Sequence, residues 1–105
     1  MSDHSYGAAM ESKVAEHLRR KGWSVVMSPG SRGPYDLKAI MRGRLWLVQV
    51  KSTHRPVTFV EKLGSAERLL LIEAADVKSG IPVLALVAKG WIFFLSARNW
   101  RHLHP

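Results

Sequence analysis

The sequence predicts one small α/β domain in which a mixed β-sheet is flanked by helices, in the order α-β-β-β-α-β-β. Two amphipathic segments alternate with short apolar runs. Two turn signals, Arg42-Gly43 and Lys89-Gly90, each join two of these runs into a hairpin. With 105 residues and 47% hydrophobic residues, the chain can build one packed core but not two. We therefore expect residues 1–105 to form a single domain.

The N-terminal half predicts a helix, a strand and a loop. Apolar residues recur every four positions over about residues 6–21, which is typical of an amphipathic helix, and Gly22 ends the pattern. Residues 23–27, WSVVM, form an apolar run of strand length. Residues 28–34, SPGSRGP, hold two Gly, two Pro and two Ser and predict a loop. Residues 1–5 are expected to be a loose end.

The C-terminal two thirds predicts two hairpins with a helix between them. The first hairpin consists of residues 36–41 and 44–51, and the second consists of the runs PVLALVA and WIFFL. Between them, Ser65 is the expected N-cap of a helix that ends near Lys78. Residues 99–105 are expected to be loose.

The charge of the chain indicates a polyanionic partner. Sixteen Lys and Arg face eight Asp and Glu, so the net charge is +8 and the pI is about 10.5. The basic residues are spread through the predicted elements, which favours a basic face for nucleic acid over a basic tail. The chain has no Cys, no apolar run near the roughly 20 residues of a membrane span, and no signal-peptide pattern. These absences predict a cytoplasmic protein that does not enter a membrane.

The first hairpin gathers polar side chains on one side of the sheet. A two-residue turn pairs Met41 with Arg44, and counting outward then places Asp36 opposite Gln49. Opposed residues point to the same side of a sheet, and Lys51, two residues beyond Gln49, does so as well. A carboxylate, an amide oxygen and an ammonium group so arranged suit metal-dependent phosphodiester hydrolysis.

Each of these residues also has an ordinary structural interpretation. Asp36 follows Gly33-Pro34 and could be a turn residue, and Lys51 could be an edge charge. Gln49 is harder to explain in this way, because it interrupts the most apolar run of the chain and a buried amide needs a partner. The predicted register therefore favours a functional role for all three residues together.

Further candidates lie outside the hairpin strands. Glu11 leans towards the apolar side of the first helix, where it is either a rim charge or aimed into a site. Ser31 and Arg32 are in the Gly/Pro loop, which could contact a DNA phosphate or could be a connector. His54 and Arg55 follow the Q-x-K directly and could contact phosphate or only solvent.

Taken together, these motifs resemble the PD-(D/E)XK nuclease superfamily. The matching residues are Gly7-x-x-x-Glu11 in the first helix, Asp36 after a Gly/Ser/Pro loop, and Q-V-K at 49–51. Their order and spacing are similar to the archaeal-type Holliday junction resolvase branch, called Hjc-like, over nearly the whole chain. The resemblance implies a restriction-endonuclease-like fold and a metal-dependent endodeoxyribonuclease.

The resemblance also implies a role for each residue. Asp36 would be the main Mg²⁺ ligand, and Gln49 with the Val50 carbonyl would add two more oxygens. Lys51 would activate the attacking water and stabilise developing charge. Glu11 would complete the site directly or through a water molecule. Mn²⁺ is expected to substitute for Mg²⁺.

One position departs from the family pattern, which usually has Glu where this chain has Gln49. Gln keeps an oxygen ligand but removes a charge, and it occurs at this place in the Mrr-like restriction branch. We predict a Mg²⁺-dependent endonuclease that resolves four-way DNA junctions as a homodimer. The alternatives are a non-catalytic junction-binding paralogue, an Mrr-like duplex DNA endonuclease, and a basic RNA-binding or ribosomal protein.

Overall fold

The computed structural model describes residues 3–29, 33–54 and 62–105, which form a five-stranded sheet with one helix on each face. The elements in chain order are α1 (Asp3–Arg20), β1 (Ser24–Met27), β2 (Leu37–Met41), β3 (Arg44–Thr53), α2 (Ser65–Lys78), β4 (Ile81–Ala88) and β5 (Trp91–Ser96). The predicted order and the mixed sheet are confirmed. Among the described residues, no helix is both long and apolar enough to span a membrane.

The strands lie in the sheet in the order in which they occur along the chain, β1-β2-β3-β4-β5. β3 and β4 run parallel, while the other neighbouring pairs run antiparallel. A parallel pair needs a crossover connection, and α2 lies in that connection. Both hairpin turns have positive φ at both central residues, Arg42-Gly43 and Lys89-Gly90, as the tight turn of a twisted hairpin requires.

The alternation of side chains along β3 divides the core between the two faces. Val48 packs in a cluster with Val14 and Leu18 of α1. Leu47, its neighbour in the chain, packs in a second cluster with Leu71 of α2. Successive residues of a strand point to opposite faces, so α1 covers one side of the sheet and α2 covers the other.

Both helices begin earlier than the sequence predicts. α1 begins at Asp3, so residues 3–5 are helical rather than loose. The N-cap of α2 is Gly64, not Ser65, because Gly64 has an extended backbone and its carbonyl accepts a hydrogen bond from the Arg68 N–H at 2.9 Å. The Ser65 hydroxyl is therefore not used as a cap.

The C-terminal residues are attached to the sheet, and the expectation of a loose tail there is wrong. The Ser96 N–H donates to the Arg101 carbonyl at 2.8 Å, and the Leu103 N–H donates to the Phe94 carbonyl at 2.7 Å. A bridge between Leu95 and His102 lies between these bonds. The tail thus pairs with the outer edge of β5.

Candidate active site

The first hairpin has the register that the turn predicts. Met41 pairs with Arg44, and the ladder continues to Leu37 opposite Val48. Asp36 directly precedes β2, and its N–H donates to the Val48 carbonyl at 2.8 Å. Val48 is the ladder partner of Leu37, so this bond falls one residue out of the regular register at the end of the hairpin. The Asp36 carboxylate nevertheless lies beside the Gln49 side chain.

The Asp36 carboxylate is held by the backbone of β3. The side chain is 8% exposed, and Oδ2 accepts a hydrogen bond from the Val50 N–H at 2.7 Å. Because this N–H would otherwise extend the ladder, the carboxylate takes the place of a backbone carbonyl. The bond fixes the carboxylate against the strand that carries Gln49 and Lys51.

The Gln49 amide is buried beside this carboxylate, with 9% of the residue exposed. With its nitrogen turned to Asp36, the amide donates to Oδ2 at 2.5 Å and to Oδ1 at 3.2 Å. In the opposite orientation the nitrogen lies 3.4 Å from the Pro34 carbonyl, and the amide oxygen faces the carboxylate. Two facing oxygens repel each other unless a cation lies beside them. The first orientation therefore suits the protein alone, and the second presents two oxygen donors together.

The electrostatic environment of Asp36 opposes its ionisation. Burial raises the pKa of the Asp36 carboxyl above its ordinary value of 3.8. The Val50 hydrogen bond and the positive charge of Lys51 act in the other direction, whereas the negative charge of Glu67 raises the pKa further. A carboxylate that is ionised at such a position binds a cation favourably, because the cation replaces the stabilising interaction with water that burial removes.

Lys51 has a partner that sequence reasoning missed. Its Nζ lies 2.8 Å from Oε2 of Glu67, in the first turn of α2. The sequence shows an acidic residue in the first turn of this helix, but it gives no sign of which strand that turn faces. The side chains are partly exposed, 29% for Lys51 and 44% for Glu67, so the ion pair lies at the rim of the site.

The donor set of the site is composed of oxygen atoms. Within the described part of the chain, His, Asp and Glu side chains form no group of three that could hold a metal ion. A cation at this place would therefore take the Asp36 carboxylate, the Gln49 amide oxygen and backbone or solvent oxygens. Hard oxygen donors of this kind fit Mg²⁺ or Mn²⁺ and do not fit a thiolate-seeking metal.

The other predicted site residues lie on other elements or outside the described residues. Glu11 is half-buried on α1, which packs on the opposite face of the sheet from Gln49 and Lys51. His54 is exposed directly after β3. Three predicted residues lie outside the described residues: Ser31, Arg32 and Arg55. The roles of Glu11, His54 and the Val50 carbonyl remain predictions.

The described helices leave part of the site's face uncovered. α2 packs over β3 and β4, and the same face continues across β2 and β1. There Lys38 lies opposite Leu47 on one side and Val26 on the other, and Ile40 lies two residues along β2. Val26 and Ile40 are exposed and Lys38 is half-exposed. This surface lies beside Asp36 and carries the positive charge of the Lys38 side chain.

The chain is similar to known proteins in both sequence and fold. The sequence pattern of the family described as archaeal Holliday junction resolvase (Hjc) matches residues 2–104. The chain is 26% identical over 95 residues to the crossover junction endodeoxyribonuclease Hjc of Methanocaldococcus jannaschii, covering 89% of this chain and 68% of that protein.

Two nucleases are among the solved structures that share the fold. Hjc of Archaeoglobus fulgidus, a Holliday junction resolvase, superimposes with a TM-score of 0.76 at 18% identity, over 89% of this chain and 74% of that one. A bacterial homing endonuclease superimposes with a TM-score of 0.63 at 16% identity, over 100% of this chain and 80% of that one. The match along residues 2–104 shows that the chain belongs to the archaeal Holliday junction resolvase (Hjc) family of endodeoxyribonucleases.

Proposed function

We propose that this protein is a Mg²⁺-dependent, structure-selective endonuclease that resolves four-way DNA junctions as a homodimer. The observation that carries the proposal is the set of Asp36, Gln49 and Lys51 at one end of the first hairpin, on one face of a resolvase fold. The relative from M. jannaschii is a crossover junction endodeoxyribonuclease, which is the same class of activity.

The residues of the site divide the chemistry between them. Asp36 and the Gln49 oxygen would hold the cation, with the Val50 carbonyl as a further oxygen donor. A bound divalent cation supplies Lewis acidity at the phosphate and favours ionisation of the attacking water. The Lys51 ammonium stabilises the charge that develops on the phosphate. Glu11 would complete the site through a water molecule, since α1 packs on the other face of the sheet.

The substrate proposal is supported by charge. A net charge of +8 on 105 residues favours a polyanion. Arg42 and Arg44 are exposed at the turn of the first hairpin, and Lys38 borders the site. We add His54 and the residues that the sequence singled out, Ser31, Arg32 and Arg55, as phosphate contacts. Branched DNA in the cytoplasm, of a cell or of a virus-infected host, would be the substrate.

The homodimer is supported by the symmetry of the substrate. Resolution requires cuts on two opposed strands, and a domain of this size carries one such set of residues. The large apolar side chains exposed in the described residues include Leu69, Leu70 and Val77 on α2, and Trp91 and Phe93 on β5. These side chains offer apolar surface to a second copy.

One observation favours a second candidate function. Gln49 supplies no charge next to Asp36, so the site has one anionic ligand fewer than a carboxylate pair. A non-catalytic junction-binding protein, or an Mrr-like endonuclease acting on duplex DNA, would be compatible with this change.

The decisive experiment is incubation with a synthetic four-way junction and with linear duplexes of the same arm sequences. Each substrate is tested with Mg²⁺, with Mn²⁺ and with a chelator. We expect paired, symmetric cuts in the junction only when a metal is present. Binding without cleavage under all conditions would support the paralogue, and equal cleavage of duplex would support the Mrr-like enzyme. Light scattering of the free protein and of the complex measures the dimer.

A further inference from the structure

We propose that Glu67 is a positioning residue of the nuclease site, which holds the Lys51 ammonium group over the hairpin from helix α2. The inference rests on the proposed function, since it assigns a task to a side chain outside the hairpin that carries the chemistry. The contact that motivates it is the ion pair of 2.8 Å between Lys51 Nζ and Glu67 Oε2.

A lysine needs such a partner if it is to act at a defined place. Its ammonium lies at the end of four rotatable bonds, so an unrestrained Lys51 would spread its charge over many positions. Catalysis by a charged group depends on orientation before the reaction begins, and small displacements are costly. The ion pair reduces this freedom while 29% of the lysine side chain stays exposed to an incoming phosphate.

The helix is well suited to hold the glutamate still. Arg68, the next residue, donates from Nε to the Ala97 carbonyl at 2.6 Å and from a terminal nitrogen to the Arg98 carbonyl at 2.8 Å. Its guanidinium also lies 4.7 Å from the centre of the Trp100 ring. These contacts attach the first turn of α2 to the turn after β5. Glu67 therefore faces the site, while Arg68 faces the turn after β5.

In this structure Glu67 contacts the site through Lys51. Its charge also acts on Asp36: burial raises the pKa of the Asp36 carboxyl, and the negative charge of Glu67 raises it further. Glu67, Lys51 and Asp36 thus share one electrostatic neighbourhood, in which Glu67 contacts the lysine.

The first test compares Glu67→Ala and Glu67→Gln with Glu73→Ala, a matched change of an exposed glutamate on the same helix. In single-turnover cleavage of a four-way junction, we expect Glu67→Ala to lower the rate roughly 10- to 100-fold. Glu67→Gln keeps an acceptor for the ammonium and should recover part of the loss, while Glu73→Ala should cut at the wild-type rate. Junction affinity measured without metal should stay within about twofold in all three. A wild-type rate for Glu67→Ala overturns the proposal.

A double-mutant cycle with Lys51→Ala identifies the path of the effect. If Glu67 acts through the lysine, Glu67→Ala should have no further effect on the residual rate of Lys51→Ala. An equal loss in both backgrounds would mean that Glu67 acts through another group, which contradicts the inference.

A second measurement separates this inference from the proposed function. Lysine acetylation by an N-hydroxysuccinimide ester, followed by mass spectrometry, reports how firmly each ammonium is held. Lys51 should be acetylated several-fold faster in Glu67→Ala than in wild type, while exposed Lys78 and Lys89 keep their rates. If the wild-type protein cuts no DNA, the proposed function fails and this labelling still tests the contact. Unchanged labelling of Lys51 would show that Glu67 does not hold it.

Discussion

The two faces of the sheet differ in chemistry although one strand serves both. On the α1 side, β3 contributes Trp46 and Val48 to a cluster of hydrophobic residues. On the α2 side, the same strand contributes Leu47, which is buried under α2, followed by Gln49 and Lys51. A shift of one residue along β3 thus separates a side chain that stabilises the fold from one that serves the site.

The difference shows how a domain of this size can hold a polar site without losing its core. Alternation along the strand confines the polar residues to one face and to one end of that face. The opposite face keeps its full apolar contact with α1. Substitutions on the α2 face should therefore reduce cleavage, whereas substitutions on the α1 face should reduce the stability of the fold.

The largest effect is expected on the polar side, from Asp36→Asn. The change removes the anionic charge of the proposed metal ligand but keeps the shape of the side chain and an oxygen that accepts the Val50 N–H. We expect cleavage of a four-way junction to fall by roughly a hundredfold or more, while junction binding is nearly unchanged. Gel-shift and cleavage assays on one preparation measure both. Cleavage at the wild-type rate would show that Asp36 is not part of the active site.

On the apolar side, Trp46→Ala should unfold or strongly weaken the domain. Trp46 is 2% exposed, and its ring centre lies 4.5 Å from that of Trp23. Losing it should lower the free energy of unfolding by about 3–5 kcal/mol, because a large cavity remains. The control is Trp91→Ala, at a residue that is 70% exposed. Denaturant unfolding of both variants, at low protein concentration, measures their free energies of unfolding. Equal losses of stability in the two variants would contradict the prediction.

A third effect has the opposite sign for stability. Burial raises the pKa of the Asp36 carboxyl in the folded protein, so its contribution favours the fold at pH values below the unfolded pKa and is lost as pH rises through the folded one. Each unit of difference is worth about 1.4 kcal/mol. Metal-free Asp36→Asn should therefore melt at a higher temperature than wild type near neutral pH.

This advantage should shrink as the pH falls through the raised pKa of folded Asp36 towards its ordinary value of 3.8, because the wild-type carboxyl then also becomes neutral. Thermal melts from acid to neutral pH, in the presence of a chelator, follow the difference between the two proteins. An advantage that grows on acidification would show that the carboxylate stabilises the fold, and that the stated direction of the pKa shift is wrong.

The smallest effect is expected from Gln49→Glu, which adds a charge beside Asp36. Two unit charges about 4 Å apart interact by about 4 kcal/mol at an effective dielectric of 20, and desolvation and Lys51 offset much of this. The metal concentration for half-maximal cleavage should fall, while the metal-free protein becomes less stable because the amide no longer donates to the carboxylate.

Metal titrations of cleavage, together with melts in a chelator, test both halves of this prediction. If wild type is inactive and Gln49→Glu is active, the chain is a junction-binding paralogue with a weakened site. An unchanged metal response in two active proteins would mean that Gln49 is not a metal ligand.

The arrangement of the hairpin could be predicted from the sequence because a two-residue turn fixes a register. The signal was Arg42-Gly43, and the pairing of Met41 with Arg44 confirms it. Counting along both strands then places Asp36 opposite Gln49 without knowledge of the rest of the fold. Local chemistry therefore suffices for contacts that one turn determines.

Other contacts depend on packing over long distances and could not be predicted in this way. Lys51 and Glu67 are 16 positions apart on different elements, and the mixed, polar segment between them gives no register. The donor in the bond from Val50 to Asp36 is a backbone N–H, so the residue types in the sequence do not indicate this bond. The polar tail gave no strand signal, yet Arg101 and Leu103 bond to β5.

The attachment of the tail has a consequence for how this protein can associate. An open strand edge is a template on which another chain can add a strand, and such edges promote aggregation. Here the backbone groups of Phe94 and Ser96 are already occupied by residues 101–103. A second copy therefore cannot extend the sheet along that half of β5. Removing residues 101–105 would open this edge to intermolecular pairing while leaving the hairpin site in place.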